Sequence, residues 1–142
     1  MENEESNCYK CKSGLLPGHN YATIIKIARK IFNTVAAQTK RRPYIRSAYF
    51  RGEKIFLDNF WPHLLEKNLR DRTRRLLFIQ AALELIRHSR KKPILLTKNL
   101  LGNVAYYRFL GQASGSSFVI QIKEDLKRKQ KFLMSMFAYR EK

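Results

Sequence analysis

The side chains best suited by type and spacing to work on a phosphodiester are His63, Lys67, Arg72, Arg74, Arg75, Arg108, Gln121, Lys123 and Ser135. Metal-independent RNA cleavage needs an acceptor for the ribose 2′-hydroxyl proton, cations for the developing charge and a donor for the leaving oxygen. His63 can move protons near neutral pH, Arg108 and Lys123 can stabilise charge, and Ser135 can orient a phosphate. These four form the candidate catalytic set. Lys67, Arg72, Arg74, Arg75 and Gln121 form the candidate substrate-binding set. The nucleophile would belong to the RNA, so the protein need not supply one.

Other chemistries find little support. There is no phosphate-cradling glycine loop, no HExxH and no glycine-flanked nucleophilic serine. The acidic residues are too scattered for a two-metal site, and neither a metal nor a cofactor is expected. Cys8 and Cys11 supply half of a zinc-ribbon spacing; without a second pair they are expected to be free thiols.

The strongest compositional signal is charge, with 29 Lys+Arg against 11 Asp+Glu and a formal net charge of +18. A polyanion relieves that self-repulsion, and RNA is favoured over DNA as the partner. An acidic antitoxin or inhibitor protein is a second partner class. No apolar run approaches the roughly 20 residues that cross a bilayer, and the acidic start lacks the order of a secretory signal. The expectation is a cytoplasmic protein with no membrane partner.

The elements that must position these residues follow from periodicity. Hydrophobic content of 44% suits one folded domain, expected over residues 20–142, preceded by a polar extension over 1–19. Ile24, Ile27, Ala28, Ile31 and Val35 define an amphipathic helix over Tyr21–Gln38, with Asn20 as its cap. A β-hairpin is expected from Tyr44–Phe50 and Lys54–Asp58, turning at Arg51-Gly52-Glu53. A short helix follows, with Pro62 in its first turn and His63 and Lys67 on one face, four residues apart.

A longer helix is expected over Arg72–His88, with Leu76, Ile79, Ala82, Leu83 and Ile86 as its core stripe. Arg70, Arg72, Arg74 and Arg75 would crowd its N-terminal end beside Asp71, an arrangement that suits an anion. Residues 94–102 are ambiguous between strand and loop. Three strands then form a meander: Val104–Leu110, Phe118–Lys123 and Lys131–Phe137. Alternation puts Phe118, Ile120, Ile122, Phe132, Met134 and Met136 on one apolar face, with Tyr107 and Phe109 joining them. Arg108, Gln121, Lys123 and Ser135 fall on the other. The fold class is α+β: an N-terminal helix, a β-hairpin, two helices and a three-stranded meander, with helices packed on one face of an antiparallel sheet.

From Arg42 onward the chain resembles the phage-associated barnase–EndoU–colicin–RelE-like nucleases, a superfamily of small metal-independent RNases. The stretches that carry the likeness are RPYIRSAYFRGEKIFLDNFWPHLLEKNLRDRTRRL, AALELIR, and YRFLGQ, FVIQIKED and KFLMSMF in order across three strands. The resemblance covers about residues 42–138 and implies an α+β nuclease core with its site on the sheet's polar face. It would place Arg108, Gln121, Lys123 and Ser135 in that site, with His63 and Lys67 on the helix after the FLD strand. The function implied is a toxin- or phage-type endoribonuclease. The residues alone also suit a non-catalytic basic nucleic-acid-binding module, or an interaction protein that docks on an acidic partner.

Overall fold

The computed structural model describes residues 5–139. In chain order the elements are strand β1 (Cys8–Lys10), helix α1 (Tyr21–Ala37), strands β2 (Tyr44–Arg46) and β3 (Lys54–Phe56) and helices α2 (Phe60–Leu65), α3 (Leu69–Leu76) and α4 (Ile79–His88). Strands β4 (Leu95–Lys98), β5 (Val104–Ala113), β6 (Ser116–Asp125) and β7 (Gln130–Ala138) follow. The fold is α+β. Among the described residues, however, the sheet has seven strands and mixed pairing, not the antiparallel three-stranded meander of the sequence reading: its order is β1-β5-β6-β7-β3-β2, with β4 also on β5. β1 joins β5 and β3 joins β7 in parallel. No helix among the described residues is long and apolar enough to cross a membrane.

The meander itself is present and longer than alternation suggests. Ser114 and Gly115 both have positive φ, 50° and 78°, which gives the tight turn whose twist suits paired strands. The hairpin partners consequently run out to Ala113 and Ser116. Phe118, Ile120 and Ile122 are buried against the helices, as is Met136. The register then shifts, with Gln121 opposite Ser135 but Ile122 opposite Leu133, so Met134 is the extra residue of a β-bulge. The bulge puts Leu133 in the core and turns Phe132 to the outer face, the reverse of strict alternation.

The helix expected over Arg72–His88 is two helices. α3 begins at Leu69, capped by Asn68, whose Oδ1 accepts from Asp71 N at 2.9 Å. The chain breaks at Leu77-Phe78: Leu16 N donates to the freed Leu77 carbonyl at 3.0 Å, and Phe78 stacks on Phe118 with ring centroids 5.1 Å apart. The core stripe Leu76, Ile79, Ala82, Leu83 and Ile86 is buried across the break, and α1 adds Ile24, Ala28, Phe32 and Val35. At Gly111 a Cβ would lie 2.7 Å from the Phe118 ring and 2.8 Å from Leu85 Cδ1, so α4 meets the sheet there as closely as backbone allows.

The N-terminal segment, expected as a polar extension, is part of the fold. β1 occupies the edge of β5 beyond β4, and Cys8 and Leu16 are buried. Burial raises the Cys8 thiol above its ordinary value. The two cysteines fall in different environments. Cys8 packs with Leu110 and Val119 on the outer face, while Cys11 lies against the helix-side core and donates to Ala81 O at 3.6 Å. They are free thiols, and no group of metal-ligating side chains occurs among the described residues.

Candidate nucleic-acid interface

The outer face of the sheet is built of cross-strand rows. One row runs Leu95, Arg108, Gln121, Ser135 from β4 to β7. The next runs Thr97, Tyr106, Lys123, Phe132, Phe56, Tyr44 across six strands, from β4 through β5, β6, β7 and β3 to β2. The meander alternation therefore brings Arg108, Gln121, Lys123 and Ser135 to one face. Arg108 Nε donates to Gln121 Oε1 at 3.0 Å, and Lys123 has no polar partner among the described residues. Ser135 is 8% exposed, so its hydroxyl lies at the floor of this face. Leu95, Thr97, Tyr106, Arg108 and Gln121 line a depression of about 290 Å³.

Cations lie over the aromatic members of the long row. Arg42 stands 4.2 Å from the Phe56 ring centroid and 5.5 Å from that of Phe132; Lys54 and Arg46 lie 4.6 Å and 5.6 Å from that of Tyr44. Asp58 holds Arg42 in place with two bonds, 2.7 Å to Nε and 3.0 Å to Nη2, and these keep the guanidinium more firmly protonated. Tyr44, Phe56, Phe132 and Tyr106 are each half-buried, with ring surface left to solvent. Sequence reading missed this row. Its members come from distant segments, and the parallel pairing of β3 with β7 that aligns them has no local sequence signal.

The arginine cluster divides by role. Arg72 caps α2: its Nε donates to Lys67 O at 2.7 Å and its Nη2 to Leu65 O at 2.6 Å. Arg74 and Arg75 lie in the last turn of α3, where the dipole favours cations. The expected anion site at a helix start therefore does not form, because α3 begins three residues earlier than the sequence suggests and ends at Leu76. Arg74 is exposed. Arg75 reaches over the edge of β7 that β3 leaves unpaired and donates to Met136 O at 3.4 Å. Its Nε is buried 3.2 Å from Asp71 Oδ1 without an aligned hydrogen bond. Arg75 and Arg108 flank the Phe137 ring at 5.5 Å and 5.3 Å, so Arg75 joins the outer face.

His63 and Lys67 are not brought in. α2 stops at Leu65, which leaves Lys67 in the connection to α3 and ends the expected helical pairing. His63 is one-third exposed with Nδ1 3.6 Å from Glu66 Oε2. Among the described residues, no hydrogen bond, ion pair or ring contact joins it to Arg108, Gln121, Lys123 or Ser135. Its neighbour Trp61 packs on Phe32 of α1.

Two other polar groupings belong to the helix side. Lys131 is buried between Glu53 and Glu124, and Tyr107 donates to Glu124 Oε1 at 2.7 Å. Burial and this bond to a carboxylate raise the Tyr107 phenol. Every member has its partner, which suits a structural plug at the end of the core. A cavity of about 780 Å³ between α1, α4 and the N-terminal segment contains Glu84. Burial pushes that carboxyl up, but donors from Ser13, Lys12 and Tyr9 prevail and hold it at about 2. Those same bonds fasten residues 9–13 to α4.

Compared with family models, curated proteins and solved structures, the chain matches none of them. The nuclease resemblance rests on the motif order alone.

Proposed function

We propose that the protein binds single-stranded RNA on the outer face of its sheet. The observation that carries this reading is the row Tyr106, Lys123, Phe132, Phe56, Tyr44, with Arg42, Lys54 and Arg46 set over its rings. Half-exposed rings on a sheet offer stacking platforms to unpaired bases, and interleaved cations neutralise the phosphates between them. A duplex keeps its bases stacked on each other and cannot use such rings. The net charge of +18 supplies long-range attraction. Fluorescence anisotropy with single-stranded and duplex RNA at several salt concentrations tests the reading. Preference for the single strand, weakened by Tyr106→Ala, is expected; equal binding of both forms sinks it.

A metal-independent endoribonuclease is the second reading, favoured by Arg108 and Gln121 in the depression, with Lys123 opposite Tyr106 on the neighbouring strand. A guanidinium and an amide in one hollow, with an ammonium on the next cross-strand pair of the same face, suit a phosphorane. Among the described residues His63 makes no contact with them, so this face supplies charge stabilisation without a paired general base. RNA incubated with the protein in EDTA decides. Fragments made by wild type and lost in Lys123→Ala, with binding kept, support catalysis, whereas RNA left intact by wild type leaves a binding module. Co-purification of an acidic protein that blocks RNA binding would point to an inhibitor on the same face.

A further inference from the structure

A second basic surface lies apart from the outer face, and Arg46 connects the two. Where the turn after β2 meets the end of α4, Arg46, Arg51, Arg87, Arg90 and Lys92 line one cleft of about 680 Å³. Among the described residues, no carboxylate lines it. Five cations around one hollow repel one another; the dipole of α4 favours Arg87 in its last turn, but Arg46 and Arg51 lie outside that helix. The carbonyls of Leu85 and Ile86, at the end of α4, are already met by Ser89 N at 2.9 Å and Ala48 N at 3.1 Å. Neither of these two carbonyls therefore needs a cation as its cap.

The turn that carries two of them is firmly built. Gly52 N donates to Ser47 O at 2.7 Å, Phe50 N to Ser47 Oγ at 3.0 Å, and Arg46 Nη1 to Gly52 O at 2.9 Å. Arg51 takes a positive φ of 58°, which a glycine would adopt at lower cost, yet the position carries an exposed guanidinium. Arg46 also stands 5.6 Å from the centroid of Tyr44, the last ring of the aromatic row. The cleft thus begins where that row ends.

We propose that this cleft is a second phosphate-binding site, which takes the backbone of the same single strand after it leaves Tyr44. The proposal rests on the RNA-binding reading and extends it. The sheet face, four inter-strand steps of about 4.8 Å from β5 to β2, accommodates only a short stretch of roughly four nucleotides. Phosphates beyond that stretch meet the cleft. It holds backbone rather than bases, since the cations outnumber its one aromatic lining residue, Tyr49.

The test is anisotropy with oligouridylate of about 4 and about 16 nucleotides, comparing wild type with an Arg51→Glu, Arg90→Glu double variant. A Lys26→Glu, Lys30→Glu variant on exposed positions of α1 changes net charge equally and serves as control. Circular dichroism melts check that each variant folds. In the cleft variant, affinity for the long strand is expected to fall about tenfold or more. Its salt slope should flatten by about 1.4, the share of two phosphates at roughly 0.7 each. Affinity for the short strand should change no more than in the control. Equal losses on both lengths, or a loss matched by the control, overturn the cleft while leaving the sheet reading in place. If wild type binds neither length, both readings fall together.

Discussion

Arg108 Nε donates to Gln121 Oε1 at 3.0 Å, and the two residues sit directly opposite each other on β5 and β6. The amide therefore aims the guanidinium along the sheet surface beside Phe137, 5.3 Å away. Because the pair acts as a unit, its contributions to RNA affinity should not add. Arg108→Ala is expected to cost about tenfold and Gln121→Ala about threefold, with the double variant close to Arg108→Ala alone. A double-mutant cycle by anisotropy measures the coupling, and strictly additive losses would contradict it.

Removing one stacking platform should weaken binding without unfolding the chain. Tyr106 points from the outer face and has Lys123 opposite. Tyr106→Ala should lose about 1–3 kcal/mol of single-strand affinity, while Tyr106→Phe should keep most of it. Thermal melts of both variants should stay near that of the parent.

Arg72 is expected to matter for stability and not for affinity. Its guanidinium satisfies the Lys67 and Leu65 carbonyls at the end of α2. Arg72→Ala should destabilise by about 1–2 kcal/mol in urea unfolding, with RNA affinity lowered only as much as by loss of any exposed cation. A large affinity loss in a stable Arg72→Ala protein would return it to the binding set.

Glu84 supplies a pH signature. Its folded value of about 2 lies below the ordinary 4.5, so its ionised form favours the folded state. That stabilisation is complete above about 4.5 and fades as pH falls toward 2. Glu84→Gln should unfold more readily at pH 7, by about 2 kcal/mol. Its deficit relative to wild type should shrink as pH falls through that window. Parallel stability curves for the two proteins would remove the carboxylate from the account.

Gly111 marks the tightest contact between α4 and the sheet. Gly111→Ala places a methyl group 2.7 Å from Phe118 Cζ and 2.8 Å from Leu85 Cδ1, a clash expected to cost about 2 kcal/mol. Thermal denaturation checks it, and Phe118→Leu in the same chain should recover part of the loss.

Patterns of one segment at a time were legible in the sequence. Alternation through Phe118–Lys123 identifies the two faces of β6 because side chains in a strand have a period of two, and the stripe from Leu76 to Ile86 identifies buried helix for the matching reason. Features that depend on a distant partner were not. The bulge at Met134 breaks alternation without any glycine or proline to announce it. Leu77 and Phe78 are unremarkable in a helix, and only the donor from Leu16 and the ring of Phe118 explain the break. The arginines around Arg72 suggest an anion site only for a helix that starts at Arg72, whereas α3 starts at Leu69. Arg108, Gln121, Lys123 and Ser135 were grouped correctly by strand phase, whereas His63 was grouped by chemistry alone and lies elsewhere.

The parallel attachment of β1 to β5 also orders events in time. Lys10 and Gln112, joined at 3.0 Å, are separated by 102 positions along the chain. By contrast, β5 and β6 are linked by the two-residue turn at Ser114-Gly115 and need little loop closure to meet. The hairpin should therefore assemble early and offer a bare edge, onto which the first strand closes late. Pulsed hydrogen exchange during refolding should protect the amides of β5 and β6 before that of Cys11, whose N–H bonds Gln112 O. Until that closure Leu110 and Val119 lack their contact with Cys8, and the unpaired edge of β5 is open to pairing with another chain.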